Sequence, residues 1–447
     1  MTTNLDRKFS AALLIFATAS LAMPEFLAKP ISPHAALETG QLMHWKYDQT
    51  ENEYQWVQRF GVWANYQLAT ADERMKMDMG LGGLLWFSLP EEPSNPATLT
   101  PRFLPDISQL SFSWTALGDA QEPSLKLTAG YFPYKYNRDA RNLGEYLFRS
   151  RSYPSFVYTG GWMTVDRNPG ARLMGLMLTN HAFSGKLRSD FILNSELNYP
   201  PLYDFSLTYI ADLNLGDVLG LGIGANLYHY LPVDKDKSER EVGINPAGAY
   251  NAYIVGPGDT AYYTFKAVKL MGKASFDPKP LIGNPAILGS EDLRLFAEVA
   301  ILGVQNHGSP FDTTNPYNNL YSKMRQRIPI MAGFNLPAFR LLDLVSVQVE
   351  YYPFPYREHE FDLVRNTLPI PTLTPGVTLG TEKQPYTRDD WKWSVFLHKQ
   401  VFNALSISGQ VARDHYRTLS FENRIEYFSA LTEPKHWYYM VRIDMGI

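Results

Sequence analysis

Arg138, Arg141, Arg149 and Arg151 share the stretch YKYNRDARNLGEYLFRSRSYP (134–154) with Asp139 and Glu145. A guanidinium is always charged and carries its donors on a rigid fork, so a set of them fixed opposite carboxylates across a narrow water path creates a transverse field and a size limit. On an open surface the same charges are merely solvated. Composition leaves both readings standing. The inward one is carried by the apolar residues: Leu143 and Leu147 fall at i and i+4 in the short helical pattern DARNLGEYLFRS, and with Tyr146 and Phe148 they need something to pack on.

Other chemistry is sparse. NHGSP places His307 and Ser309 two apart, on one face of an extended chain, as a His–Ser hydrolase pair would be. Gly308 and Pro310 favour a turn there, and no third group stands out. His181, His229, His359, His398, His415 and His436 lack metal-ligand spacing, so no metal is expected. GLGIGANL (220–227) mimics a dinucleotide loop, but Gly222 and Gly224 alternate as in a strand and would make room inside a wall. No catalytic residue and no cofactor are expected.

The elements that must position these residues are strands. In QWVQRFGVWANYQLA, Trp56, Phe60, Val62, Ala64, Tyr66 and Leu68 share one face, with Arg59, Gly61, Asn65 and Gln67 on the other. In ERMKMDMGLGGLLWF, Met75, Met77, Met79, Leu81, Leu85 and Phe87 alternate against Arg74, Lys76, Asp78, Gly80 and Gly82. A period of two wraps both faces of a helix, so neither segment is one. The device recurs at 186–197 and 205–214, and candidates follow near 107–116, 124–134, 171–180, 220–230, 261–276, 293–305, 327–336, 344–354, 391–399 and 404–415. Short connections such as 69–73 and 198–201 alternate with long ones at 88–106, 135–170, 231–260, 306–326 and 355–390. The spacing predicts about 16 strands, within a range of 14 to 18, since closed barrels prefer even counts.

Bulk properties narrow the class. The 447 residues are 45% hydrophobic and 14% aromatic with no cysteine, which excludes a disulfide framework and a thiolate metal site. The net charge of −4 argues against a nucleic-acid binder, which needs a basic stripe. Beyond the N-terminus no apolar run reaches the roughly 18 residues of a spanning helix. Arg7 and Lys8 precede FSAALLIFATASLA and small residues at Ser20 and Ala22, the order of an export signal cleaved after Ala22, with Ala17 and Ala19 as a second choice. The expected domains are a signal peptide over 1–22 and one barrel over 23–447.

The chain stops on WYYMVRIDMGI, in which Trp437, Tyr439, Val441, Ile443, Met445 and Ile447 share an apolar face while Arg442 and Asp444 lie on the other. Signal peptide, alternating strands and an aromatic-rich last strand together resemble Gram-negative outer-membrane porins. The resemblance implies an all-β, transmembrane antiparallel barrel in the bacterial outer membrane, reached by signal-peptide export. Trp437, Tyr439, Ile443 and Ile447 would then form the assembly signal read by the barrel-assembly machinery, although Ile447 replaces the usual Phe. The closing strand is expected to pair with a strand in 41–70.

Inward faces would carry Arg59, Arg74, Lys76, Lys126, Lys186, Arg188, Arg294 and Arg442 with Asp78, Asp190, Glu196, Asp212, Glu298 and Asp444, a density of charge that calls for a wet lumen. In porins a loop such as 134–154 folds into the lumen. The expected function is passive diffusion of small hydrophilic solutes or ions, with outer-membrane lipid and lipopolysaccharide as surroundings and a homotrimer as a possible assembly. The alternative is a surface receptor or adhesin acting through its long loops. A gated transporter needs a large N-terminal plug, and the residues from Ala22 to Gln55 are too few for one.

Overall fold

The computed structural model describes residues 25–43, 54–88, 102–149, 171–195, 204–232, 244–245, 248–249, 252–256, 259–262, 267–305, 323–353, 391–415, 417–419, 426–429 and 435–446. The fold is a closed antiparallel barrel of 16 strands, nearly all β. In chain order they are β1 (Ser32–Met43), β2 (Tyr54–Thr70), β3 (Met75–Ser88), β4 (Arg102–Gly118), β5 (Pro123–Tyr134), β6 (Ala171–Ala182), β7 (Leu187–Ser195) and β8 (Asp204–Leu215). They continue with β9 (Leu219–Pro232), β10 (Ala267–Phe276), β11 (Leu295–Ile301), β12 (Ile330–Asn335), β13 (Leu344–Tyr351), β14 (Trp391–Phe402), β15 (Leu405–Arg413) and β16 (Trp437–Gly446). A short strand, Phe26–Ala28, prolongs the sheet beside the end of β2.

Alternation sets the two faces. Along β16, Tyr438 and Met440 are buried inside while Val441 and Met445 are 41% exposed on the outside. Along β8, Ser206, Thr208 and Ile210 point inward and Tyr209 outward. Period two is what a wall with an apolar exterior and a polar interior requires.

The barrel closes where β16 pairs with β1, His34 opposite Gly446 through Met43 opposite Trp437. The closing partner is therefore Ser32–Met43, which overlaps the expected 41–70 only at 41–43, and within the stretch between Ala22 and Gln55 that strand supplies wall. The pattern SPHAALETGQLM hid this strand because Thr39 and Gln41 lie on its outer register and Ala36 and Leu42 on its buried inner one. At the seam Glu38 stands directly opposite Arg59 on one side and Arg442 on the other. Their ion pairs measure 2.6 Å to Arg59 and 3.4 Å to Arg442.

Connections segregate by end. Turns at 71–74, 119–122, 183–186, 216–218 and 403–404, with the longer 277–294 and 336–343, occupy one end. At the other end β5 runs on into the described segment 135–149, β11 into 302–305, β13 into 352–353 and β15 into 414–415. Residues 198–201, expected as a tight turn, lie outside the described residues.

Candidate pore site

The segment from Lys135 to Arg149 leaves β5 and lies inside the barrel. Asn137 starts it: its side-chain oxygen accepts from the amides of Asp139 at 3.2 Å and Ala140 at 3.3 Å, a local turn that points the chain inward. The expected helix is reduced to one turn, α1 (Tyr146–Arg149). Gly144 and Glu145 adopt φ of +89° and +56°, which breaks a longer helix ahead of it. Glycine is required at 144, since a Cβ there would come within 2.7 Å of Met331 Cε and 3.2 Å of Glu298 Oε2.

Leu143 and Leu147 are both buried, with Tyr136, Ala140 and Tyr146, in one cluster with wall residues that include Phe132, Ile192, Ile210, Met271, Phe296 and Met331. Gly222 and Gly224 face inward on β9. A Cβ on Gly224 would stand 2.9 Å from Leu147 Cδ1 and 2.9 Å from Met271 Cε, so the missing side chain is the seat of Leu147.

Polar anchors come from strands distant in sequence. Glu298 on β11 accepts from Tyr136 Oη at 2.7 Å, Asn137 Nδ2 at 2.6 Å and the Tyr146 amide at 3.0 Å. Gln348 on β13 accepts from the amides of Asn142 and Leu143, each at 3.2 Å, and donates to Asp139 O at 3.1 Å. Glu350, also on β13, accepts from Tyr146 Oη at 2.8 Å and contacts His415 Nε2 at 2.5 Å. Tyr438 on β16 accepts a long bond from Asn142 Nδ2 at 3.5 Å. Burial, then Glu298, pushes the Tyr136 phenol well above its usual pKa, and burial, then Glu350, does the same for Tyr146, so both remain donors.

The six candidate constriction residues do different things. Arg149 is buried, donating to Asn142 O at 2.5 Å and pairing with Glu145 at 3.4 Å, so it braces the loop from within. Asp139 pairs with Arg294 at 3.2 Å, and Arg141 reaches Glu291 at 3.9 Å. Arg138 is exposed. Arg151 lies outside the described residues. Lys135, not singled out by sequence, donates to Ala140 O at 2.5 Å and lies 3.9 Å from Glu145. Burial pulls its pKa down to about 8, against the attraction of Glu145 and with the repulsion of Arg149 and Arg141.

Of the residues expected to line the lumen, Lys76, Lys126, Asp78, Arg188, Asp190, Asp212, Glu298, Arg442, Asp444 and Arg59 lie on inward strand positions. Arg188 pairs with Asp190 at 2.9 Å, and Asp212 pairs with Lys273 at 2.9 Å. Lys273 also donates to Tyr136 O, tying β10 to the loop. Arg74 and Lys186 are corrections: both fall in turns and are exposed, because the inward register ends at the strand end. Arg294 stands just before β11, and Glu196 lies outside the described residues. Arg59, Glu38, Glu298 and Asp190 are at most 2% exposed, so at these positions neighbouring groups take the place of water.

The residues that sequence reasoning missed, Gln348 and Glu350, had a signal. In LVSVQVEY the valines alternate with Ser346, Gln348 and Glu350, which marks a polar inward face. His307 and Ser309, and the terminal Ile447, lie outside the described residues. Among the described residues no group of His, Asp and Glu could hold a metal.

No family model matches the chain, and no curated relative does. Among solved structures, Pseudomonas putida OprB at high pH is similar with a TM-score of 0.49 and 9% identity over 94% of each chain. Salmonella typhi OmpF in complex with daunomycin gives 0.44 and 10% identity over 93% of this chain and 97% of that one. A mutant of Rh. blastica porin gives 0.43 and 7% identity over 94% of this chain and 100% of that one. Likenesses of that size carry no argument, and the architecture rests on the chain's own geometry: a closed 16-strand antiparallel wall whose outward face is apolar.

Proposed function

We propose that this protein is an outer-membrane porin that passes small hydrophilic solutes or ions down their gradient, with the segment 135–149 setting the narrowest part of the path. The observation that carries this reading is the docking of that segment inside the barrel on Glu298, Gln348 and Glu350, because a structural closure of the wall needs no loop across its own lumen. Arg138, Asp139, Arg141 and Arg294 are then the charges met by a solute, and Arg149 with Glu145 is the brace that holds them. Export by residues 1–22, and an assembly signal on Trp437, Tyr439, Ile443 and Ile447, belong to the same proposal.

Planar-bilayer recording of the refolded mature chain tests it. Discrete conductance steps are expected, and they should enlarge when 137–149 is replaced by a short Gly-Ser linker. A folded barrel that inserts without conducting, before and after that replacement, would leave a receptor or adhesin as the better reading. Mass analysis of the outer-membrane protein should find the mature chain beginning near Met23.

A further inference from the structure

On the flank of β11 to β14 the turn end of the barrel is thickened. The 277–294 and 336–343 segments are locked together by Asp292, whose buried carboxylate accepts from the amides of Gly289 at 2.8 Å, Ala338 at 3.2 Å and Phe339 at 3.3 Å. Arg340 Nε donates to Leu288 O at 3.3 Å, and Lys399 Nζ on β14 donates to Arg340 O at 3.1 Å, so β14 joins the same body. This rigid platform displays Leu281 at 66% exposure, Ile282 at 56%, Ile287 at 63%, Phe339 at 51% and Leu341 at 79%. Apolar side chains clustered and held in this way mark a contact surface.

The adjoining wall identifies the contact. The outward apolar run of β11, Leu295 to Ile301, is six steps long, roughly 20 Å along the strand and roughly 15 Å along the membrane normal at a tilt of about 40°. The apolar band of an outer-membrane barrel is about 25 Å tall. β2 and β4, at 17 residues each, exceed that requirement, whereas β11, β12 and β13 have 7, 6 and 8. On β12 the outward register Ile330, Ala332, Phe334 runs without a break into Leu336, 39% exposed at the foot of the platform.

We propose that the platform is a membrane-inserted collar that extends the lipid-facing surface on the short-strand flank, its apolar side chains meeting acyl chains of the adjoining leaflet. Arg340 and Lys399 at its edge reach the headgroup level. The inference needs only a membrane-spanning barrel and is independent of what the barrel passes.

The chain has no cysteine, so single cysteines report cleanly. Leu341→Cys and Ile287→Cys, made in the full mature chain and labelled with a small fluorophore, are to be reconstituted in phosphatidylcholine vesicles carrying nitroxide on the acyl chains. Quenching by the lipid nitroxide should be severalfold stronger than for Asp119→Cys on the exposed β4–β5 turn, and iodide quenching severalfold weaker. Iodide quenching equal to that of Asp119→Cys would place the platform in water and overturn the proposal. Capture of dimers or trimers by a short bis-maleimide, with no lipid quenching, would assign the surface to a second copy of the chain and overturn it equally. The two cysteines lie on separate turns, so failure of one variant to assemble leaves the other to decide.

Discussion

Tyr146 Oη donates to Glu350 Oε2 at 2.8 Å, joining a loop that springs from β5 to the wall strand β13. In a ring of 16 strands those two are opposite one another, so the loop crosses the lumen and this bond, with those of Gln348, fastens it to the far wall. Removing its donor leaves a buried carboxylate oxygen unsatisfied, which costs about 1 to 3 kcal/mol. Tyr146→Phe should therefore loosen the loop by roughly 5- to 150-fold in its undocked population. A Leu143→Cys reporter, buried in the docked loop, should react with an aqueous thiol reagent faster by that factor when Tyr146→Phe is also present. Equal rates with and without that substitution would mean that the bond does not hold the loop.

Gly224 gives a steric test of the same docking. Gly224→Val places methyl groups where Leu147 Cδ1 sits, 2.9 Å from an added Cβ, while the outward face of β9 is untouched. The expected result is a larger and noisier single-channel conductance in a barrel that keeps its heat-modified electrophoretic shift. Conductance unchanged in a folded variant would show that Leu147 yields without moving the loop.

Lys135 should give the channel a titration in the mildly alkaline range. Its pKa is depressed to about 8 in the docked loop against roughly 10.4 for a free lysine, so the docked state prefers the neutral amine. Docking is therefore weakest, and constant, below pH 8, and strengthens as pH rises from about 8 towards 10.4, where the undocked state still binds the proton. Over the first part of that window the reversal potential should move towards cation preference as the positive charge is lost. Lys135→Met should abolish the movement; a shift that survives the substitution belongs to another group.

The seam offers a stability test. Glu38 is buried between Arg59 and Arg442, so removing it takes a close carboxylate from both guanidinium groups, and breaking a buried pair costs about 3 to 5 kcal/mol. Glu38→Ala should lower the denaturant midpoint of the refolded barrel markedly, while Glu38→Ala combined with Arg59→Met should recover part of the loss. No recovery in the double variant would locate the cost in packing and not in charge.

The outer face of β16 bears on assembly. Tyr439 and Ile443 lie outward on it, and an aspartate placed in lipid costs about 2 kcal/mol or somewhat less near an interface. Tyr439→Asp with Ile443→Asp should reduce the amount of barrel recovered from outer membranes. Unchanged levels would count against both lipid contact and a signal role.

Much of the wall was legible because a period of two is a local property: each outward Val, Leu or Met of β3, β8 or β16 is fixed by its neighbours two residues away. The strand number followed from the chain length available per strand and connection, with the preference of closed barrels for even counts. β1 was not legible, since its outer register holds Thr39 and Gln41 and its inner one Ala36 and Leu42. Its place is decided by pairing with β16 and β2 on both sides, a contact between the two ends of the chain. Turn residues such as Arg74 and Lys186 were assigned inward because alternation alone does not say where a strand stops.

The charged loop divides in the same way. The sequence by itself determined that 134–154 carries guanidinium groups, carboxylates and an apolar stripe that needs a surface. Whether it faced water or the lumen depended on Glu298, Gln348, Glu350 and Tyr438, which stand 152 to 296 residues away from the loop atoms they bind. Only closure of the barrel brings those side chains to one place, because inward direction is shared by every second residue of each strand while proximity across the lumen depends on how many strands complete the ring.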